Sequence, residues 1–84
     1  MDLGLDGATV VVSGGSKGMG RAAVETFAGE GARIAILARG KAALDDTVRA
    51  ALDRGAREAF GIVTDLTVAS QVTAAFEEIG RRWG

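Results

Sequence analysis

A run of three valines leads directly into a glycine-rich turn near the start of this chain. Residues 9–13 read Thr-Val-Val-Val-Ser, and glycines follow at positions 14, 18 and 20. An unbroken apolar run is typical of a buried parallel strand, and glycine lets the backbone turn tightly and approach a ligand closely. A strand that continues through such a turn into a helix presents free backbone N–H groups to a phosphate. The segment therefore predicts a nucleotide-binding βα unit.

Composition indicates one small globular domain spanning residues 1–84. The chain is 48% hydrophobic and 25% charged, a balance that argues against disorder. Its net charge is −1 and its basic residues are scattered, so we expect no nucleic-acid partner. Cysteine and histidine are absent, which excludes a disulfide framework and a thiolate metal site. No apolar stretch approaches the roughly 20 residues that cross a bilayer, so we expect a soluble, cytoplasmic protein without a membrane partner.

Three successive units of one strand and one amphipathic helix are predicted. The strands are expected at about residues 9–13, 33–38 and 58–63, and the first two helices at about 18–29 and 41–54. A third helix is expected after residue 67. Glycine follows each of the first two helices, at positions 31 and 55, and is a natural stop there.

Apolar residues at helical spacing predict the face that each helix buries against the sheet. In the first helix these residues are Ala22, Ala23 and Phe27. In the second they are Leu44, Val48, Ala51 and Leu52, and in the third Val68, Val72, Phe76, Ile79 and Trp83. Core packing is the interpretation of these stripes, and no chemistry is assigned to them.

Other glycine motifs compete for the turn. A phosphate-binding loop of the NTPase type, G-x-x-x-x-G-K-[ST], fails because the frame from Gly15 to Gly20 continues with Arg21 and Ala22 instead of lysine and a hydroxyl residue. The general dinucleotide pattern G-x-G-x-x-G/A matches residues 18–23 but leaves Gly14 and Gly15 unexplained. A purely structural glycine turn is the third interpretation, and the three spaced glycines after a strand weaken it.

Residues 13–20 read Ser-Gly-Gly-Ser-Lys-Gly-Met-Gly and resemble the T-G-x-x-x-G-x-G cofactor motif of the short-chain dehydrogenase/reductase family, with serine in place of threonine. Residues 31–33, 38–39 and 65–66 also sit where that family places its adenosine contacts. The resemblance covers essentially all 84 residues but only the first half of the family's domain, before its fourth strand. It implies an α/β, NAD(P)-binding Rossmann fold: half of a doubly wound parallel sheet, βαβαβα, with strand order 3-2-1.

The resemblance implies cofactor-binding roles for the glycine turn. Residues that would line the pyrophosphate and the adenosine ribose are Gly14, Ser16, Gly18 and Met19. Gly18 and Gly20 would permit the close approach of the backbone to the cofactor.

Asp65 and Leu66 follow the third predicted strand. By the same resemblance, Asp65 would accept a hydrogen bond from the adenine amino group, and the backbone N–H of Leu66 would face the ring. Spacing alone leaves a second interpretation open, because aspartate is also common in turns and at helix entries. The resemblance favours the adenine contact.

The end of the second strand bears on the choice of cofactor. A carboxylate there would accept a hydrogen bond from the ribose 2′-hydroxyl of NAD(H) and repel a 2′-phosphate. This chain has Ala38 at that position and Arg39 next, and Lys17 lies in the glycine turn. Two cations can each donate charge-assisted hydrogen bonds of ~1.5–3 kcal/mol to a 2′-phosphate, so NADP(H) is predicted over NAD(H). The alternative is that both are solvated surface charges.

The family's catalytic residues have no counterpart among these residues. In the family that this chain resembles, a tyrosine relays the proton, a lysine four residues later lowers its pKa, and a serine polarises the carbonyl. The family also has an Asn-Asn-Ala-Gly segment after its fourth strand. This sequence contains no tyrosine and no such segment. Ser70 and Thr73 have no base nearby to activate them and are interpreted as structural. No catalytic residue is assigned.

The resemblance implies the cofactor-binding portion of an oxidoreductase that transfers hydride between a nicotinamide and a small carbonyl or alcohol substrate, and the residues at the end of the second strand favour NADP(H) as that cofactor. The 84 residues alone are expected to be inactive. Two alternatives stay open: a stand-alone nucleotide-binding or interaction module without redox activity, and an inactive truncation product. We expect a homo-oligomer. Strand one would be central in the full sheet, so its unpaired edge in an 84-residue product is expected to cause dimerisation or aggregation.

Overall fold

Three strands alternate with three helices in residues 8–13 and 18–83, the part of the chain that the computed structural model describes. The strands are β1 (Thr9–Ser13), β2 (Arg33–Ala38) and β3 (Glu58–Val63). The helices are α1 (Gly18–Gly29), α2 (Lys41–Arg54) and α3 (Ala69–Trp83). The predicted order and bounds of the strands and of the first two helices are confirmed. Among these helices, none is long and apolar enough to cross a bilayer.

The strands form one parallel sheet in the order β1-β2-β3. Ile36 in β2 lies opposite Val12 on one side and Gly61 on the other. Both crossovers advance in the same direction and parallel crossovers are right-handed, which places α1 and α2 on the same face of the sheet. The predicted Rossmann-type half sheet, with order 3-2-1, is confirmed.

The central strand β2 is covered on both faces. Ile34 and Ile36 are fully buried in a core formed with α1 and α2, whereas Ala35 and Leu37 pack against α3 on the other face. Residues that share the α1/α2 core are Val24, Ala28, Ala32, Ala38, Leu44 and Ala51. The smaller core under α3 is completed by Ala75 and Ile79. An unbroken apolar run thus marks the strand that needs cover on both sides.

The valines of β1 are less buried than their sequence predicts. Residues 10–12 are half-buried, and in the described part of the chain β1 pairs with β2 alone. An apolar run indicates that a strand suits a two-sided environment, but it does not tell which neighbours the strand has. Val10 and Val12 pack against the core formed with α1 and α2, and Val11 packs against the core under α3, so β1 has cover on both faces but less burial than predicted.

The buried face of α2 is narrower than the predicted stripe. Leu44, Thr47 and Ala51 are buried, whereas Leu52 is 49% exposed. At 3.6 residues per turn Leu52 lies about 80° around the helix from Leu44, at the margin of the contact. Thr47 takes part in the core because its hydroxyl donates to the Ala43 carbonyl at 2.9 Å, which satisfies the polar group inside the protein.

The predicted faces of α1 and α3 also need correction. In α1 the buried residues are Val24 and Ala28, while Ala22 is exposed. Near and within α3, Val68 and Phe76 are exposed, and burial centres on Ala75 and Ile79. In α3 the small side chain of Ala75 lies against the sheet, and Phe76, the next residue, points about 100° away from it around the helix.

The carboxyl-terminal end of α3 is attached to β3 by aromatic contacts. The rings of Phe60 and Trp83 meet edge to face, with centroids 4.8 Å apart. The indole Nε1 of Trp83 donates to Glu58 Oε2 at 2.9 Å, and the Arg82 guanidinium lies 4.2 Å from the Phe60 ring centroid. These contacts fix the register of α3 along β3.

Gly61 permits the close packing of α2 on β3. A Cβ at this position would lie 2.6 Å from Leu44 Cγ, 2.8 Å from Cδ1 and 3.0 Å from Cδ2. Leu44 is only 1% exposed, so the surrounding core encloses it. The absence of a side chain at Gly61 therefore sets the distance between helix and sheet.

We expect Gly61→Ala to lower the free energy of unfolding by ~1–3 kcal/mol, because the added methyl overpacks the core at Leu44. Urea denaturation followed by circular dichroism measures the change. The matched control is Gly80→Ala in α3, where a Cβ would have nothing within 4 Å. This control is expected to be neutral or stabilising by up to ~1 kcal/mol, from helix propensity. Unchanged stability of Gly61→Ala would contradict the packing argument.

Candidate functional site

The carboxyl ends of all three strands meet at one edge of the sheet. Ser13 of β1 lies opposite Leu37 of β2, which lies opposite Ile62 of β3. Neighbouring strands are about 4.8 Å apart, so residues that follow these positions are held near one another. In open parallel sheets, ligands bind in the crevice outside this edge. We call the residues that follow the three strands here the carboxyl edge.

The predicted glycine turn connects β1 to α1 at the carboxyl edge. Gly14, Ser16 and Lys17 lie outside the described residues. Helix α1 begins at Gly18 and includes Met19 and Gly20 in its first turn, where the backbone N–H groups lack intrahelical acceptors. The Met19 side chain is also outside the described part. The described backbone thus places a helix amino terminus a short distance in sequence after β1, as the sequence predicts.

Arg39 follows directly after β2 and extends into solvent. Its side chain is 76% exposed, and its Nη2 atom lies 4.0 Å from Asp65 Oδ2. The backbone beneath it is tied to β3, because the buried Thr64 donates its N–H to the Ala38 carbonyl at 2.8 Å. The backbone that carries this cation is therefore bonded to β3, while its guanidinium is exposed to solvent.

Asp65 is held in a turn between β3 and α3. Its Oδ1 atom accepts hydrogen bonds from the Thr67 hydroxyl at 2.6 Å and from the Thr67 backbone N–H at 3.0 Å. Its own N–H donates to Gln71 Oε1 at 2.8 Å, and its carbonyl accepts from the Val68 N–H at 3.0 Å. The turn interpretation is therefore correct for Oδ1, while Oδ2 faces Arg39. Leu66, at the same turn, is 43% exposed.

The Asp65 carboxyl is an anion at neutral pH. The hydroxyl and the backbone N–H of Thr67 hold its pKa below the ordinary value of 3.8, and the positive charge of Arg39 adds to the effect. A carboxyl with a lowered pKa accepts hydrogen bonds and does not deliver protons near pH 7. The described part of this edge therefore offers binding groups: a cation, a fixed carboxylate and a helix start.

Two partners of Asp65 were not identified from the sequence. Thr67 lies two residues after Asp65, which is the spacing of an Asx turn, and this signal was available. Gln71 reaches back to the Asp65 N–H from the first turn of α3. That contact depends on the direction in which α3 leaves the turn, and nothing local in the sequence indicates it.

Comparison with known proteins connects this edge to a family. The sequence profile described as short chain dehydrogenase matches residues 8–84. A galactitol 2-dehydrogenase (L-tagatose-forming) of Cereibacter sphaeroides is 45% identical over 74 residues, which are 88% of this chain and 28% of that protein.

Solved structures of similar proteins share the fold. The L-sorbose reductase of Gluconobacter frateurii, crystallised with NADPH and L-sorbose, is 31% identical with a TM-score of 0.93, over 100% of this chain and 32% of that one. An NAD⁺-bound xylitol dehydrogenase is 27% identical with a TM-score of 0.88, over 93% of this chain and 30% of that one. The chain thus spans about three tenths of the length of the relatives it matches.

Replacement of Thr67 tests the charge state of Asp65. A carboxyl whose pKa is lowered by folding adds stability that is complete above its ordinary value of 3.8 and is lost as the pH falls through the lowered value. Thr67→Val removes the hydroxyl bond to Oδ1, so it should be less stable than the original protein near neutral pH. This difference should shrink towards zero on acidification.

Urea unfolding at a series of pH values from about 7 down to about 2 measures this difference. Thr73→Val, at an exposed position on α3, is the control and should show no such trend. A Thr67→Val deficit that stays constant across the series would show that the hydroxyl does not act through the ionised carboxylate.

Proposed function

The chain belongs to the short-chain dehydrogenase family, and on that basis we propose that its 84 residues form the NADP(H)-binding domain of an oxidoreductase. The observation that carries the proposal is the carboxyl edge. There an exposed guanidinium, an ionised carboxylate and a helix start stand on adjacent parallel strands. These groups match the phosphates and the base of a dinucleotide.

In this proposal the glycine turn binds the phosphates of the cofactor. The turn residues assigned to the cofactor are Gly14, Ser16, Lys17, Gly18, Met19 and Gly20. Support comes from α1, which begins at Gly18; its first backbone N–H groups have no acceptor within the helix, and the positive end of the helix dipole lies there. A Cβ at either of the last two glycines would hinder close approach of a pyrophosphate.

In this proposal the turn after β3 binds the adenine of the cofactor. Asp65 accepts a hydrogen bond from the amino group, and the Leu66 N–H faces the ring. Thr67 supports this role because it fixes one carboxylate oxygen and leaves Oδ2 directed towards the edge. The turn function and the adenine contact are therefore compatible.

We infer a preference for NADP(H) from the end of β2. Ala38 supplies no carboxylate to accept from a ribose 2′-hydroxyl, and Arg39 next to it is exposed and able to donate to a 2′-phosphate. Relatives do not decide this point, because the sorbose reductase structure contains NADPH and the xylitol dehydrogenase structure contains NAD⁺. The inferred preference follows from these two residues and from Lys17.

Binding and orientation are the tasks of this chain in the reaction. The bound nicotinamide supplies the hydride acceptor or donor for a small carbonyl or alcohol substrate, the class to which galactitol and L-sorbose belong in the relatives. The sequence contains no tyrosine, so we propose that the proton relay and the substrate contacts lie outside these residues. We further propose a cytoplasmic homo-oligomer.

Removal of the Arg39 cation tests the cofactor preference. Arg39→Gln is expected to weaken NADP⁺ binding about tenfold and to change NAD⁺ binding less than about twofold, because only NADP⁺ carries the 2′-phosphate. Isothermal titration calorimetry of the full-length protein measures both dissociation constants. Arg81→Gln, in the last turn of α3, removes the same charge far from the edge and should change neither. Equal losses for both nucleotides in Arg39→Gln would refute the assignment.

Self-association of the 84-residue chain tests the role of the outer edge of β1. Within the described residues β1 pairs with β2 alone, so the 84-residue chain is expected to dimerise or form larger species at micromolar concentration by pairing the other side of β1 with a second copy. Sedimentation velocity measures the distribution. Thr9→Lys, at an exposed position of β1, should shift it towards monomer, whereas Thr73→Lys on α3 should not. A stable monomer of the unmodified chain would refute this expectation.

A further inference from the structure

We propose that Asp65 moderates the nucleotide preference by competing with a 2′-phosphate for Arg39. The pair between Arg39 Nη2 and Asp65 Oδ2, 4.0 Å apart, joins the ends of β2 and β3 across the carboxyl edge. This inference rests on the proposed function, in which the same edge binds NADP(H). It assigns to Asp65 a role beyond its contact with adenine.

Of the two partners, Asp65 is the fixed one. Oδ1 is held by two hydrogen bonds from Thr67, and the backbone N–H of Asp65 is held by Gln71. The Asp65 side chain is 27% exposed, whereas that of Arg39 is 76% exposed. Asp65 is thus the more constrained partner, and Arg39 is the side chain with space to change position.

The pair is weak enough to be broken by a better anion. Exposed ion pairs contribute little to stability, and 4.0 Å is the length of an ion pair without a direct hydrogen bond. A phosphate monoester carries a charge of about −1.5 to −2 and can accept two parallel bonds from a guanidinium. Arg39 consequently leaves Asp65 when a 2′-phosphate is present and stays with it when the ribose bears a hydroxyl.

The carboxylate opposes the 2′-phosphate in two ways. It engages the guanidinium that the phosphate needs, and it is a fixed like charge on the neighbouring strand end. Neither effect acts on a nucleotide with a 2′-hydroxyl. Asp65 therefore moderates the preference that Arg39 creates, and the balance of the two residues sets the ratio of NADP⁺ to NAD⁺ affinity.

The test is the affinity ratio in Asp65→Asn, measured by calorimetry on the full-length protein with NADP⁺ and NAD⁺. Loss of the adenine contact should weaken the binding of NADP⁺ and NAD⁺ by the same factor and leave their affinity ratio unchanged. Loss of competition for Arg39 should raise the ratio in favour of NADP⁺ by roughly two- to fivefold. In the Arg39→Gln background, Asp65→Asn should raise the ratio less, because the competition for the guanidinium is already gone.

Glu58→Gln is the matched control. Glu58 forms an ion pair with Arg33, also at 4.0 Å, at the opposite ends of the same two strands. The substitution removes the same charge and keeps an oxygen that can accept from the Trp83 indole. Its affinity ratio should equal that of the original protein. An unchanged affinity ratio in Asp65→Asn would overturn the inference while leaving the proposed function intact. If neither nucleotide bound the original protein, the inference and the proposed function would both be overturned.

A second measurement uses the original protein and does not depend on the folding of a variant. The carboxyl ¹³C signal of Asp65 is titrated by NMR in the NADP⁺ complex and in the NAD⁺ complex. Departure of Arg39 removes a cation that lowers the Asp65 pKa, so that pKa should be higher with NADP⁺ than with NAD⁺. Equal pKa values in the two complexes would show that Arg39 does not move and would overturn the inference.

Discussion

Burial of β2 on both faces is the constraint on which the rest of this structure depends. Ile34 and Ile36 are fully buried on one side, as are Ala35 and Leu37 on the other, so the strand cannot shift by one residue without exchanging the two cores. Its register fixes β1 and β3 in turn. The ends of three strands are thereby aligned, and residues from distant parts of the chain come to one edge.

Much of this arrangement could be predicted from local patterns. Apolar runs of strand length, glycines after helices and stripes at helical spacing identify the six elements and most of their bounds. The failures lie at the margins of the helix faces, as at Leu52 and Phe76. Periodicity gives the direction of a face but not its width, which depends on how closely the helix approaches the sheet. Gly61 sets that approach for α2. This role depends on the packing of Leu44 directly against Gly61, which the local sequence does not indicate.

The candidate site shows a similar division. Arg39 and Asp65 could be selected individually, because each follows a strand end. Their pairing could not, since it requires that β2 and β3 be neighbours in a given register and that the turn after β3 direct Oδ2 back across the edge. The link from Thr64 to the Ala38 carbonyl contributes to that geometry, and it too joins residues that are distant in sequence. Long-range register is the information that the local pattern lacks.

The two interpretations of Asp65, as a turn residue and as a ligand-binding residue, do not exclude each other. An ionised carboxylate has two oxygens with about four lone-pair sites, more than one turn can use. Thr67 occupies Oδ1 with two donors and so orients the whole group, which leaves Oδ2 for a partner across the edge. The local turn is thus the cause of the long-range contact. A substitution that preserves the charge but loses the turn, such as aspartate to glutamate, would keep the anion and lose its position.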